Sequence, residues 1–211
     1  MGKEIKILNL YAGIGGNRKL WNDADVTAVE INPDIAKIYS EFFPNDKVIV
    51  ADAHEYLLNH YSEYDFIWTS PPCPTHSKMA FCQSGWGNIR YPDMKLYQEI
   101  LFLKHFFKGK YVVENVVSFY DPLIEPVVFC RHYFWSNFNI KYKDIIDPTK
   151  SFVGKGTSPK WYQKALGIDI SSYKIKNKRQ ILRNCVLPEL GKHIFDCGIG
   201  SIRDEKQLEL F

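Results

Sequence analysis

Short apolar runs rich in β-branched residues recur along the first 140 positions. Ile5–Leu10, Val26–Glu30, Lys47–Val50, Tyr64–Thr69 and Tyr111–Val116 read as strands. Apolar residues on successive positions suit strands buried on both faces of a parallel sheet. The intervening stretches carry helical signals. Pro33 suits the first position of a helix over 33–43, and Asp52 suits the N-cap of one ending near His60. A further helix begins at Pro92-Asp93 and carries Leu96, Ile100, Leu103 and Phe107 on one face. A short helix is expected from about Asn17 to Trp21. Alternation of strand and helix predicts an α/β fold with a mostly parallel sheet. Val127–Trp135 divides into two short strands meeting near Arg131, an antiparallel hairpin at one edge. Later, Ser158-Pro159 caps a helix over 160–166 that Gly167 ends. The segment 180–190 leads into a last helix that packs back beside the first strand. Asp204–Phe211 is polar and expected to fray.

Candidate chemistry gathers where these strands end, which is where parallel sheets bind ligands. The first strand runs into Tyr11-Ala12-Gly13-Ile14-Gly15-Gly16. Glycines let backbone approach a nucleotide-type ligand, but G-x-G-G is not the dinucleotide fingerprint. The second strand ends in Glu30, placed to accept two ribose hydroxyls, or else simply a surface Glu. Asp52 either only caps its helix or also takes an adenine amino group. The fourth strand stops at Pro71-Pro72-Cys73-Pro74, so the thiol is presented from a stiff turn. The fifth strand carries Glu114. If strands four and five end side by side, Cys73 and Glu114 share one rim. Burial there would raise the Glu114 pKa and make it a proton donor. Arg131 either points into this cleft or sits in the hairpin turn. His132 reads as structural or surface. Residues 74–90 form a long polar loop, a candidate lid with Trp86 inside it.

Composition changes this picture mainly through charge. The 211 residues are 45% hydrophobic and 24% charged, with a net charge of +3, which fits one soluble domain. Residues 141–180 hold ten Lys and Arg against three Asp, while the remainder holds 17 basic against 21 acidic residues. A basic segment on a slightly acidic body suggests a polyanion partner there, or else a solvated Lys-rich surface. The five cysteines include no C-x-x-C pair, so neither a zinc site nor a disulfide framework is indicated. A reduced, cytoplasmic protein without metal, membrane span or signal peptide is expected.

Taken in order, Tyr11–Gly16, Glu30, Asp52, Pro71-Pro72-Cys73, Glu114-Asn115-Val116, Arg131 and Asn184-Cys185-Val186-x-Pro188 resemble the S-adenosylmethionine-dependent cytosine-C5 DNA methyltransferases. The resemblance covers about residues 5–140 and 157–195. It implies a Rossmann-like methyltransferase fold: a catalytic core over 1–140, a small basic DNA-contact segment over 141–180, and a C-terminal segment over 181–211 that completes the core. It implies S-adenosylmethionine bound by Tyr11, Gly13, Gly15, Gly16, Glu30, Ile31, Asp52, Ala53, Pro72, Leu96, Asn184 and Val186. Cys73 matches the nucleophile, Glu114 the glutamate of the family's ENV motif, and Arg131 the second arginine of its QxRxR motif. The implied partner is DNA, contacted through loop 74–90 and segment 141–180, in a bacterial or phage setting.

The chain also departs from that pattern. Pro74-Thr75-His76-Ser77 replaces the usual opening of the catalytic loop. Phe129 stands where the first arginine belongs, and Arg183 replaces a glycine before Asn184. The helix between the ENV strand and the hairpin is nearly absent. Thr157-Ser158-Pro159 and Leu166-Gly167 resemble the motif after the target-recognition region, leaving only about residues 141–156 for that region. A short or relaxed recognition sequence follows, or dependence on a protein partner or homodimer. Alternative readings are an RNA cytosine-C5 methyltransferase, an exocyclic-amine methyltransferase suggested by Thr69-Ser70-Pro71-Pro72, and a non-catalytic DNA-binding relative.

Overall fold

The computed structural model describes residues 4–78, 82, 91–146 and 158–208. Most of loop 74–90, with Trp86, and most of the expected recognition region 141–156 lie outside the described residues, as does Thr157. In chain order the elements are β1 (Lys6–Leu10), β2 (Asp25–Glu30), α1 (Pro33–Phe42), β3 (Lys47–Val50), α2 (Ala53–His60) and β4 (Phe66–Thr69). There follow α3 (Lys95–Phe106), β5 (Lys110–Val116), β6 (Val127–Phe129), β7 (His132–Ser136), α4 (Pro159–Leu166), α5 (Lys178–Arg183) and α6 (Pro188–Leu208). The sheet order is β3-β2-β1-β4-β5-β7-β6. β1 to β5 run parallel, and β7 joins β5 antiparallel. This is a Rossmann-like sheet with the expected antiparallel edge.

Adjacent strand residues serve opposite faces, which explains the unbroken apolar runs. Ile7, Trp68 and Val112 join one core cluster, together with Leu190, Ile194 and Phe195 of α6. Leu8, Ile67 and Val113 join the other, beneath Leu57 of α2 and Leu96, Ile100 and Leu103 of α3. Helix α1 starts where Asn32 caps it, its side chain accepting from the Asp34 and Ile35 amides, with Pro33 following. Helix α4 ends at Gly167 in the left-handed conformation, with φ of 61°. No helix among the described residues is long and apolar enough to cross a membrane.

Two local expectations are corrected. Residues 17–20 form turns and Trp21 lies outside any helix. Side chains take over the bonding there: Asn17 donates to Asn9 Oδ1, and Arg18 donates to the Trp21 carbonyl and to both oxygens of Asp46. The glycine turn is therefore not followed by a helix N-terminus. Helix α6 also continues through Leu208, so the first five residues of the expected frayed end are helical.

Helix α6 reaches the sheet by close approach to this irregular segment. Trp21 stacks on Phe195 at 4.6 Å between ring centroids, and its indole N–H donates to the Gly191 carbonyl. A Cβ at Gly191 would lie 2.5 Å from the Asn17 carbonyl oxygen, against backbone that cannot swing aside. Gly191→Ala is expected to destabilise the protein by about 1–3 kcal/mol in urea titrations. Gly200→Ala, with open space at its Cβ, should be neutral or mildly stabilising, as a helix-favouring change. Equal effects of the two substitutions would contradict this packing.

Candidate active site

The sheet order reverses direction between β1 and β4, the switch point where open α/β sheets bind ligands. A cleft lies there. Tyr11, Glu30 and Ile31 line its β1–β2 side, and Asp52 and Ala53 its α2 side. Pro71, Pro72 and His76 close it from the β4 turn, with Asp93, Lys95 and Leu96 from α3 and its approach. Seven of the twelve expected cofactor residues thus line one cleft: Tyr11, Glu30, Ile31, Asp52, Ala53, Pro72 and Leu96. Of the other five, Gly13, Gly15 and Gly16 belong to the turn after β1, and Asn184 and Val186 to the segment after α5.

Glu30 bonds both ways along the rim. Its Oε2 accepts from the Gly13 amide and its Oε1 from the Asn32 amide, each at 2.9 Å. Asp52 caps α2, accepting from the Glu55 amide at 3.0 Å, while facing the cleft. Ile31 is 64% exposed beside these two carboxylates. The three glycines differ in role. Gly13 has φ of 56° and only open space where a Cβ would go. Gly15, also at positive φ, is required by the Phe43 ring, and Gly16 by Cys185 and the Val186 carbonyl. Asn184 and Val186 therefore belong to a segment docked on the glycine turn. Val186 is buried, and Asn184 is exposed and accepts from Gln180. Two carboxylates, an exposed apolar side chain and an uncrowded backbone turn fit a nucleoside with vicinal hydroxyls, as S-adenosylmethionine presents.

One residue of this site escaped the sequence reading. Glu99, on the apolar face of α3, is fully buried. Tyr11 donates to its Oε1 at 2.6 Å and Thr69 to its Oε2 at 2.7 Å, while His54 Nδ1 stands 3.0 Å from Oε1. Three elements around the cleft floor thus converge on one carboxylate. Tyr11 needs such a tie, because it has a positive φ of 54° without being glycine. Burial, then the charge and hydrogen bond of Glu99, raise the Tyr11 pKa well above its ordinary range. The signal was present in the sequence: Glu99 falls at the i+3 position of the stripe that starts at Leu96.

The Cys73 turn is fixed from β5. Thr69 pairs with Val113, so Ser70–Cys73 leave the sheet beside Glu114. The buried Asn115 side chain donates to the Pro71 carbonyl at 3.0 Å. Within the turn, the amides of His76 and Ser77 both donate to the Cys73 carbonyl. Ser77 then bridges to Ser118, which anchors the start of the long loop. His76 is buried, with Nδ1 at 2.6 Å from the Tyr120 hydroxyl, and burial lowers its pKa. Burial raises the Cys73 pKa, and the Glu114 charge adds to that effect. A backbone hydrogen bond and Arg183 oppose it.

Arg131 does not stand beside Glu114. It sits exposed in the β6–β7 turn with φ of 66°, next to Cys130 at 46°. The hairpin instead sets His132 against Glu114, with Nδ1···Oε1 at 2.6 Å. The cation whose charge favours the Cys73 thiolate is Arg183, at the end of α5.

The model of the C-5 cytosine-specific DNA methylase family matches residues 5–122. No curated protein gives a significant match. Among solved structures, a hypothetical protein of Thermus thermophilus is 18% identical, covering 62% of this chain and 73% of its own, with a TM-score of 0.43. A mutant of Spodoptera frugiperda DNMT2 is 25% identical, covering 53% of this chain and 35% of its own, with a TM-score of 0.37. A putative DNA modification methyltransferase encoded within an Escherichia coli prophage is 18% identical, covering 56% and 33%, with a TM-score of 0.35. This chain spans about a third of each of the last two.

The His54–Glu99 bond yields a signed prediction. The hydrogen bond to Glu99, opposed by desolvation, raises the His54 pKa in the folded state. Its contribution to stability is therefore fully present below the unfolded value and lost as pH rises through the folded one. In urea titrations, His54→Gln should cost more stability at about pH 5.5 than at about pH 8.5. A pH-independent cost, or the reverse order, would show that the bond does not act through the imidazolium.

Proposed function

The chain belongs to the C-5 cytosine-specific DNA methylase family, and from that premise we propose that it methylates C5 of cytosine through a covalent bond from Cys73 to C6 of a flipped-out base. As a member of that family it is an S-adenosylmethionine-dependent DNA cytosine methyltransferase. The observation that carries the covalent reading is the Asn115–Pro71 bond. It ties the Cys73 turn to the strand of Glu114, beside the cleft at the switch point.

Cytosine C5 is a poor nucleophile, and the chemistry follows from that. The Cys73 thiolate adds to C6, and the C5=C6 electrons move through C4 to N3. Glu114 supplies the proton that N3 takes up, leaving an enamine whose C5 is nucleophilic. S-adenosylmethionine, when bound, supplies an electrophilic methyl group on sulfur. After methyl transfer, water takes the C5 proton, the C5=C6 bond re-forms and expels the thiolate from C6, and N3 returns its proton to Glu114. Glu30 and Asp52 are proposed to take the ribose hydroxyls and the adenine amino group. Ile31 and Leu96 would cover the purine, and Tyr11 would lie against the cofactor. Addition to C6 requires access to the ring face, which stacking in a duplex denies, so the base must leave the stack.

The described part of the basic segment supports a phosphate-binding role. Lys160 and Lys164 on α4, Lys174 and Lys176 between the helices, and Arg179 on α5 are all exposed. Helices α4 and α5 pack together, so this charge belongs to one structural unit.

Duplex DNA carrying 5-fluorocytosine should trap a covalent adduct in the presence of the cofactor. That adduct should vanish in Cys73→Ala, and an undiminished adduct there would end the covalent reading. Glu114→Gln should lose roughly 10²–10⁴ in methyl transfer. The same change should speed alkylation of Cys73 by iodoacetamide, because one cause of the raised thiol pKa is removed. Slower alkylation would contradict the electrostatic coupling. Replacing Lys160, Lys164, Lys174 and Lys176 with Gln should weaken DNA binding. The slope of log K against log salt should shrink by up to about 0.9 for each phosphate that is no longer neutralised. An unchanged slope would remove this face from the DNA surface.

A further inference from the structure

We propose that His132 is the positioning residue of Glu114, holding beside it the proton that Glu114 delivers to cytosine N3. The inference rests on the covalent reading above and adds to it the source of the proton. Glu114 pairs with Phe134 and Val116 with His132 across the antiparallel β5–β7 ladder. Residues two apart on a strand share a face. Glu114 and His132 are therefore diagonal neighbours on one face, and Arg131, one position earlier, has the opposite parity. A shift of one residue along a strand changes which side chain meets the site.

Their contact carries chemical information. Nδ1 and Oε1 lie 2.6 Å apart, with the Glu114 side chain 8% and the His132 side chain 25% exposed. A ring nitrogen and a carboxylate oxygen at that distance need a proton between them. Two charge states supply one. A neutral pair, either imidazolium with carboxylate or its tautomer of imidazole with carboxylic acid, has a proton to lend. A neutral imidazole with its proton on Nδ1 against a carboxylate makes a pair of charge −1, which cannot lend that proton without leaving an imidazolate. Only the neutral pair completes the step. As Cys73 sulfur bonds to C6, the Glu114 carboxylate takes the Nδ1 proton across the 2.6 Å bond and passes that same proton to N3, which leaves a neutral imidazole and a carboxylate. The proton returns by the same route when the sulfur leaves. A guanidinium in this place would keep its charge at every working pH, whereas an imidazole changes charge in the neutral range.

The charged and titratable groups around the pair act consistently. Cys73, after β4, feels the Glu114 charge, and Arg183 at the end of α5 opposes that effect. His193 of α6 packs its ring at 5.7 Å from Phe129, the ladder partner of His132, and bonds the Lys141 carbonyl through Nε2. Arg131 occupies the exposed turn. Without the His132 charge, Glu114 confronts the Cys73 sulfur uncompensated. Both consequences, a missing proton for N3 and a thiolate that forms less readily, weaken catalysis.

Two measurements test the proposal. The first is single-turnover methyl transfer to cytosine-containing DNA across about pH 6–9. The wild-type rate should fall along an alkaline limb. His132→Gln, which can hydrogen-bond but cannot lend a proton, should lose at least about tenfold at neutral pH and lack that limb. His132→Arg should recover part of the rate and lose the limb, since its charge is fixed. A His132→Gln protein with the wild-type rate and limb would overturn the proposal. The second uses no cofactor or DNA. His132→Gln should slow iodoacetamide alkylation of Cys73, and the effect should disappear in the Glu114→Gln background. An effect that persists there, or none at all, would also overturn it. If 5-fluorocytosine traps no Cys73 adduct in the wild type, the covalent reading fails instead, and the alkylation cycle still reports on the pair.

Discussion

The hydrogen bond from the Asn115 amide to the Pro71 carbonyl decides where the Cys73 turn sits. Prolines give that turn its stiffness, but stiffness alone does not choose a direction. The bond ties the turn to β5 one residue past Glu114. Since β4 and β5 pair in parallel with Thr69 opposite Val113, the turn that carries Cys73 begins beside Glu114. Both partners are shielded from water, where losing one side of such a bond costs more than the bond contributes. The Cys73 carbonyl then closes the turn by accepting from two amides, so the thiol is held from both directions.

Glu99 plays the corresponding part for the cofactor cleft. A fully buried carboxylate is expensive unless its oxygens are occupied. Here Tyr11, Thr69 and His54 occupy them. The three partners lie after β1, at the end of β4 and on α2, so one side chain of α3 joins the walls of the cleft across its floor. The same bond accounts for Tyr11 in the left-handed region, a conformation that needs outside support. The cleft and the Cys73 turn meet at Thr69, which bonds Glu99 and immediately precedes Ser70–Cys73.

Much of this was legible in the order of residues. The β-branched runs identified β1 to β5 because both faces of the sheet are covered, and carboxylates at strand ends marked the cleft. Legibility failed where the deciding information was three-dimensional. The helix expected after the glycine turn is absent because Arg18 and Asn17 bond locally and to Asp46 and Asn9, partners distant in sequence. Motif order favoured Arg131, but the phase of the hairpin brings His132 to Glu114. Gly15 and Gly16 look like ligand-approach positions, yet Phe43 and Cys185 explain them. Glu99 could have been found, since a charged residue inside an apolar helical stripe needs a buried partner.

The late segment links the outer surface to this centre. Gly16 leaves no room for a Cβ because Cys185 and the Val186 carbonyl press on it. The Cys185 thiol, its pKa pushed up to about 12 by burial, is a packing group and not a second nucleophile. Two residues earlier, Arg183 is exposed, yet its charge reaches Cys73. The end of α5 therefore touches the glycine turn, the thiol's electrostatics and the basic face in one short stretch. A substitution at Arg183 would therefore change the charge felt by the thiol while leaving in place the Gly16 contact, which Cys185 and Val186 make.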